Sequence, residues 1–323
     1  MKKYIVSLSI LLLGFGLAGC GSGYANNSTT DSSGGATAQS SAAKAETLEV
    51  TDSNGKITVP KNPKKVVVFD NGSLDTIDAL GAGERVVGAA TANLPDYLSD
   101  YKDIESAGGI KEPDLEKINQ MQPDLIIISG RQSDFQDQLK EIAPTMYLAV
   151  DTSDTWNSIK HNVETLGQIF DKEEEAKKQL ADLETSIKET KAKAEESQDK
   201  ALTVLVNEGQ LSAYGKDSRF GIVYDTFGFA EADDAIEAST HGQSVSYEYV
   251  LDKNPDVLFV VDRTKAIGGD DANNNVADND LVAQTTAGKE NKVISLQPDV
   301  WYLSGGGLES TKLMLEDVNK AFE

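Results

Sequence analysis

A sixteen-residue segment occurs twice in this chain. Glu116-Lys-Ile-Asn-Gln-Met-Gln-Pro-Asp-Leu-Ile-Ile-Ile-Ser-Gly-Arg131 aligns without a gap on Glu248-Tyr-Val-Leu-Asp-Lys-Asn-Pro-Asp-Val-Leu-Phe-Val-Val-Asp-Arg263. Glu116/Glu248, Pro123/Pro255, Asp124/Asp256 and Arg131/Arg263 are each 132 positions apart (248 − 116). Each copy reads as a short helix, a Pro-Asp turn and a buried strand that ends on an arginine. A repeated helix–strand unit implies two similar α/β lobes. It also puts two arginines at matching carboxyl ends of strands, where open α/β sheets bind ligands. Lobes facing one another would form a cationic cleft.

The N-terminus sets the compartment. Lys2 and Lys3 precede an apolar run from Tyr4 to Ala18, too short for a stable membrane-spanning helix. Residues 1–19 therefore read as a secretory signal peptide. The run ends Leu17-Ala18-Gly19-Cys20, which resembles a bacterial lipobox, and Cys20 is the chain's one cysteine. Lipidation of Cys20 is expected, and no intrachain disulfide can form. Residues 20–46 are rich in Ser, Ala and Gly and read as a flexible tether. Two acyl chains on one diacylglycerol suffice for stable anchoring. The globular part would then stand at the outer face of a bacterial cytoplasmic membrane, in a Gram-positive cell.

A net charge of −23 argues against nucleic-acid binding, which needs a basic face. It does not exclude an anionic ligand, because distant exposed charges are screened. The acidic excess lies on helical faces such as Asp171-Lys-Glu-Glu-Glu and Glu195-Glu196. Enzymatic motifs are missing. The turn after the first strand is Asn71-Gly-Ser-Leu rather than Gly-x-Gly-x-x-Gly, and no Walker sequence, Gly-x-Ser-x-Gly or His-Glu-x-x-His occurs. A hydrolase on a related fold is a remote alternative, and the chain is not expected to be an enzyme.

Apolar runs at Val66–Asp70, Val86–Ala90, Leu125–Ser129, Met146–Val150, Thr203–Asn207, Val257–Val261 and Val293–Leu296 predict strands. Consecutive apolar positions suit parallel strands covered on both faces. Helical patterns fall at Leu74–Leu80, Asp114–Met121, Gln132–Ile142, Phe220–Phe227 and Glu309–Phe322. Thr155 to Phe170 predicts one amphipathic helix. Lys172 to Glu196 follows with no Gly or Pro and many good helix formers. At 1.5 Å per residue it spans roughly 37 Å, more than a crossover within one lobe needs. The expected organisation is an N-terminal lobe over 47–171, a stiff bridging helix over 172–196 and a C-terminal lobe over 197–323. The fold class is α/β, with two Rossmann-like lobes of mainly parallel sheet, one long joining helix and a ligand cleft between them.

From Cys20 to Glu323 the chain resembles the substrate-binding lipoproteins of ABC-type iron-siderophore importers, most nearly those for catecholate and petrobactin-type siderophores. The resemblance rests on Val66-Val-Val-Phe-Asp-Asn-Gly-Ser-Leu-Asp75, Lys111-Glu-Pro-Asp114, Pro123-Asp-Leu-Ile-Ile-Ile-Ser-Gly-Arg131, Gly215-Lys-Asp-Ser-Arg-Phe-Gly221, Ser239-Thr-His-Gly-Gln-Ser-Val-Ser246 and Trp301-Tyr-Leu-Ser-Gly-Gly-Gly307. Arg131, Arg219, His241, Arg263 and Tyr302 fall in the family's order and nearly its spacing. The resemblance implies a ferric siderophore as ligand, no intrinsic cofactor, a monomer, and an ABC permease with its ATPase as partner.

The chemistry agrees. A ferric tris-catecholate, or a bis-catecholate with an α-hydroxycarboxylate, carries a net charge of about −3, and three guanidiniums would neutralise it. Arginine suits this because it is planar, always charged and weakly hydrated. At about 5 Å and an effective dielectric near 20, each unit charge pair is worth on the order of 3 kcal/mol before desolvation. Arg131, Arg219 and Arg263 form the expected triad. Lys111 is a weaker fourth cation at the rim.

In relatives, a histidine and a tyrosine at the places of His241 and Tyr302 complete iron coordination when the siderophore is tetradentate; otherwise they line the pocket. His161 reads as merely exposed. Two histidines fall short of a zinc or manganese site, and a haem carrier using His241 is the nearer alternative. A surface adhesin would leave the repeated arginines unexplained. The Ser304–Gly307 run suits either a close backbone approach to ligand or a plain loop. Glu116 and Glu248 fall in the first turns of matching helices, where an acid also complements the helix dipole. The resemblance implies that they dock onto a two-fold permease.

Overall fold

The computed structural model describes residues 46–323 apart from 271 and 273. The expected signal peptide, the expected lipidation site Cys20 and all of the expected tether but Glu46 lie outside the described residues. An antiparallel hairpin opens the described chain, β1 (Thr47–Asp52) and β2 (Gly55–Pro60). The sequence reading missed it. Its turn, Ser53-Asn54, is closed by Asn54 N–H on Asp52 Oδ1 at 2.8 Å, an Asx-type turn.

The first lobe alternates strands and helices. β3 (Val66–Val68) leads into α1 (Asn71–Ala79), then β4 (Val86–Ala89), β5 (Glu105–Ser106) and the small hairpin β6 (Gly108–Gly109)–β7 (Glu112–Pro113). α2 (Leu115–Met121), β8 (Leu125–Ile128), α3 (Gln136–Lys140) and β9 (Thr145–Tyr147) follow. Strands β5-β4-β3-β8-β9 form a five-stranded, wholly parallel sheet. Leu125, Ile126, Ile127 and Ile128 are all fully buried, as strands with helices on both faces require.

Two adjustments to the expected elements matter here. The Asn71-Gly-Ser-Leu turn is the first turn of α1, capped by Asp70, whose carboxylate accepts from Ser73 N–H at 2.8 Å. The expected helix over 132–142 begins as a 3-10 turn, Gly130–Phe135, before α3. Arg131 lies in that tight turn.

α4 (Thr155–Phe170) and α5 (Glu173–Ser197) come next. α4 stops at Asp171, in left-handed conformation (φ 60°), a common helix terminator. α5 lies between the two sheets in chain order and touches elements of both. Gln179 donates to Ala79 O at the end of α1 (2.8 Å), and Lys160 of α4 pairs with Glu184 (3.2 Å). Further along, Thr190 Oγ1 accepts from Asn319 (2.8 Å).

The second lobe contains β10 (Lys200–Asn207), β11 (Gln210–Tyr214), α6 (Ile222–Asp225), β12 (Ala230–Glu231), β13 (Gln243–Val245), α7 (Tyr247–Lys253) and β14 (Val257–Asp262). It continues with α8 (Arg263–Ala266), α9 (Thr286–Lys289), β15 (Val293–Ser295), α10 (Pro298–Leu303) and α11 (Leu308–Asn319). Its sheet runs β13-β11-β10-β14-β15, with β12 added beside β10. The β10-β14-β15 part is parallel, whereas β11 and β13 are antiparallel additions. The expected helix over 220–227 shrinks to α6, because Gly221 and a turn held by Ser218 O delay its start.

The sequence repeat is a structural repeat. β3-β8-β9 and β10-β14-β15 are matching parallel triplets. α2 and α7 end on left-handed Gln122 (φ 48°) and Asn254 (φ 42°), each followed by a buried proline that bars continuation. In both turns the aspartate ties the turn to the neighbouring strand. Asp124 N–H donates to Lys65 O and Asp256 N–H to Lys200 O, both at 2.8 Å. Their carboxylates accept from Lys64 N–H (2.7 Å) and Lys65 N–H (3.0 Å), and from Lys200 N–H (2.9 Å).

Candidate ligand site

Both repeated strands deliver an arginine at the carboxyl edge. Arg131 follows β8 in the 3-10 turn, where Ser129 N–H donates to Gln132 Oε1 (3.0 Å) and Gln132 donates to Ile110 O of the β6–β7 hairpin. Arg263 is the first residue of α8, capped by Asp262 through Lys265 N–H (2.9 Å). Arg219 lies in the Gly215–Gly221 turn, which is drawn in by a short bond from Ser218 Oγ to Gly215 O.

These three side chains meet at one residue. The main-chain oxygen of Tyr302 accepts from Arg131 Nη2 at 2.7 Å and from Arg219 Nη2 at 2.5 Å. The Tyr302 hydroxyl oxygen accepts from Arg263 Nε at 2.8 Å. Arg219 Cζ stands 4.3 Å and Arg263 Cζ 5.5 Å from the Tyr302 ring centre, within cation–π range. Arg263 Nη1 also donates to Asn207 Oδ1 at 2.5 Å. All five residues are half-buried.

The chain has four arginines. Arg85 pairs with Glu84 at 3.3 Å, and the other three converge. Among the described residues, none of these three has a carboxylate within 4 Å.

The electrostatics follow the geometry. Burial, then the nearby charge of Arg131, lowers the pKa of Arg219 below the ordinary arginine value, although a guanidinium stays protonated under any physiological condition. Burial pushes the Tyr302 phenol up, but the Arg263 hydrogen bond and the charges of Arg263 and Arg219 outweigh it. Tyr302 therefore ionises below the ordinary tyrosine value. Behind Arg131 lies Asp70, whose Oδ2 caps α1 by accepting from Ser73 N–H and Oγ (both 2.8 Å). Burial raises its pKa, with the Ser73 bonds and the Arg131 charge acting in the opposite sense.

Tyr302 reaches this position because α10 is docked across the lobe boundary. Asp299 Oδ2 accepts from Asp96 N–H (2.8 Å), Leu303 O from Asn71 Nδ2 (3.0 Å), and Ser304 Oγ lies 2.6 Å from Tyr97 Oη. The Ser304–Gly307 run serves this docking. Gly305 and Gly306 take positive φ (77° and 90°), and a Cβ on Gly72 would sit 2.8 Å from Gly305 O. The sequence offered a close approach to ligand or a plain loop for this run; the close approach in the structure is to α1. Asp75 completes the junction by accepting from Glu309 N–H (2.8 Å) and Ser310 N–H (2.7 Å) at the start of α11.

The remaining candidates lie at the periphery. Lys111 is exposed in the β6–β7 turn, beside the Ile110 carbonyl that Gln132 holds. His241 is exposed, with its own N–H on Ser239 Oγ (3.2 Å), next to Gly242, which packs on the Tyr214 ring. Tyr214 stacks edge-on against Phe220, adjacent to Arg219. His161, expected as merely exposed, is exposed and donates from Nε2 to Thr51 O at 2.9 Å. Glu116 and Glu248 are both exposed second residues of α2 and α7. Sequence reading missed Asn207 and the carbonyl role of Tyr302. The repeat at strand ends marked Arg131 and Arg263 in the sequence, whereas nothing in an Asn-Glu-Gly turn marks Asn207.

Two α/β lobes with arginines converging from their strand ends are the architecture of a two-lobed solute receptor. The chain belongs to the periplasmic binding protein family, whose model matches residues 66–300. It is 46% identical to the petrobactin-binding protein YclQ of Bacillus subtilis (strain 168) over the full length of both chains. The crystal structure of that protein matches 86% of this chain and 99% of its own at a TM-score of 0.84 and 48% identity. The periplasmic catecholate-siderophore binding protein VctP of Vibrio cholerae matches 85% of this chain and all of its own, at a TM-score of 0.80 and 34% identity.

Proposed function

We propose that this chain is an extracytoplasmic binding lipoprotein that captures a ferric catecholate-type siderophore of petrobactin-like charge and delivers it to an ABC permease. The observation that carries this reading is the convergence of Arg131, Arg219 and Arg263, from both lobes, with no carboxylate partner among the described residues. Unpaired guanidiniums suit a multiply anionic chelate, because each can fork onto its oxygens without first leaving an internal acid. The relatives are named for petrobactin and catecholate siderophores, which supports the same ligand class. His241 and Tyr302 would ligate iron only where the siderophore leaves coordination positions open. Lys111 would add charge at the rim. Glu116 and Glu248, alike in position on the two lobes, would dock the permease. Residues 172–196 would bridge the lobes, and the Cys20 lipid would anchor the protein outside the membrane.

Fluorescence titration tests the ligand. A ferric catecholate of charge −3 should quench Trp emission with submicromolar affinity, while a neutral ferric hydroxamate binds far more weakly. Replacing Arg131, Arg219 or Arg263 by Ala should each weaken the catecholate about ten- to a hundredfold, as loss of roughly 1.5–3 kcal/mol implies. Unchanged affinity in all three would refute the triad. A Soret band on adding haem, with no response to ferric catecholates, would replace this reading with a haem carrier. Glu116→Ala with Glu248→Ala should spare binding and impair uptake in cells; lost binding would mean that the acids are structural.

A further inference from the structure

Every atom that holds the three guanidiniums is a neutral acceptor: the Tyr302 carbonyl, the Tyr302 hydroxyl and Asn207 Oδ1. The first two belong to the residue at the centre of the site. Asn207 is different, because its side chain could have been an acid. It is the last residue of β10, one step beyond the Val206–Asp262 pair, and therefore lies beside Arg263. The turn after it is held by two bonds, and one of their acceptors is itself held in place. Glu208 N–H donates to Thr264 Oγ1 (2.9 Å), Gly209 N–H to Asn274 Oδ1 (2.8 Å), and Asn274 Nδ2 to Asp262 Oδ1 (2.8 Å). Thr264 and Asn274 are buried.

Aspartate matches asparagine in shape and would hold Arg263 more strongly, since a charge-assisted bond is about twice as strong as a neutral one. It would also cancel one of the three positive charges. For holding an arginine in place, an acid is the better residue; for keeping its charge available, the amide is. The other ionisable groups near Arg263 are the Tyr302 and Tyr214 phenols, Arg219 and the neighbouring Asp262, whose Oδ1 is taken by Lys265 N–H and Asn274 Nδ2, while Asp70 acts on the Arg131 side.

We propose that Asn207 is a positioning and specificity-determining residue, which orients Arg263 for the ligand and, by being uncharged, reserves the site for multiply anionic ligands. This rests on the proposed function. The test uses the mature full-length protein and a ferric catecholate of charge −3, with Kd measured by Trp fluorescence across a range of NaCl concentrations. Asn207→Asp should weaken binding about tenfold or more, with an unchanged or raised Tm and a shallower salt dependence, because one net cation is lost. Asn207→Leu removes the acceptor but not the charge, and should weaken binding by less than Asn207→Asp while retaining the wild-type salt dependence. Asn207→Asp binding as tightly as wild type, or losing no more than Asn207→Leu, would overturn the inference, since a purely structural role favours the acid. Failure of the wild type to bind the trianion would instead overturn the proposed function.

Discussion

Tyr302 shows how one residue gathers like charges. A carbonyl oxygen has two lone pairs, and at Tyr302 each takes a guanidinium N–H from a different lobe. The hydroxyl of the same residue takes the third. Tyr302→Phe should leave Arg131 and Arg219 in place and free Arg263 from one of its two acceptors, weakening ferric-catecholate binding by roughly three- to tenfold. The phenol offers an independent check. Because its folded pKa lies below the ordinary value of 10.0, the linked stabilisation is fully present above that ordinary pKa and is lost as pH falls through the folded one. An ultraviolet titration should therefore show one tyrosine ionising ahead of the others. That early step should vanish in Tyr302→Phe and move to higher pH in Arg263→Ala; an early step that survives Tyr302→Phe would contradict the assignment.

At the scale of elements, the two Pro-Asp turns explain why the repeat was readable. Period, proline and aspartate all act locally, through a left-handed helix end and a turn whose carboxylate reaches the next strand. Asp124→Ala loses acceptors for two backbone N–H groups and Asp256→Ala for one, so losses of about 2 and about 1 kcal/mol are expected from chemical denaturation. Equal losses would mean that the bonds do not set the difference. Asp75 is the opposite case. Its neighbours are 234 and 235 positions away, so no local pattern marks it as the cap of α11. Burial raises its pKa to about 6, against the pull of its Ser310, Glu309 and Tyr97 bonds. The folded value exceeds the ordinary 3.8, so the folded protein binds the proton more tightly. Stability tied to Asp75 is thus complete below about pH 4 and lost as pH rises through about 6. Asp75→Asn should flatten that part of the stability–pH curve by up to about 3 kcal/mol, measured by denaturation between pH 4 and 7. An unaltered slope would show that another group carries it. The three glycines after Ser304 read equally as an approach to ligand or as a plain loop; their partner, Gly72 with Asp75, depends on tertiary docking that sequence spacing does not encode.

For the whole molecule, the lobes share one core. Val66 and Ile127 of the first sheet, Leu183 and Ile187 of α5, Val257 and Phe259 of the second sheet, and Leu315 and Val318 of α11 belong to a single buried cluster. α11 follows the second sheet in sequence yet starts on Asp75 of α1 and runs along α5. Residues 46–323 should therefore unfold in one transition, with far-ultraviolet and near-ultraviolet circular dichroism giving the same midpoint. Two separated midpoints would show independent lobes. Gly72→Ala, which forces the α1–Gly305 contact apart, should lower that common midpoint by several degrees.

Holding three like charges within reach of one tyrosine has a thermodynamic consequence of its own. Under the proposed function, the repulsion is carried whenever the receptor travels without cargo, and a polyanion relieves it. Occupancy should then raise heat resistance in step with cargo charge. Millimolar citrate or pyrophosphate should give a faint copy of that protection, and salt should erase it.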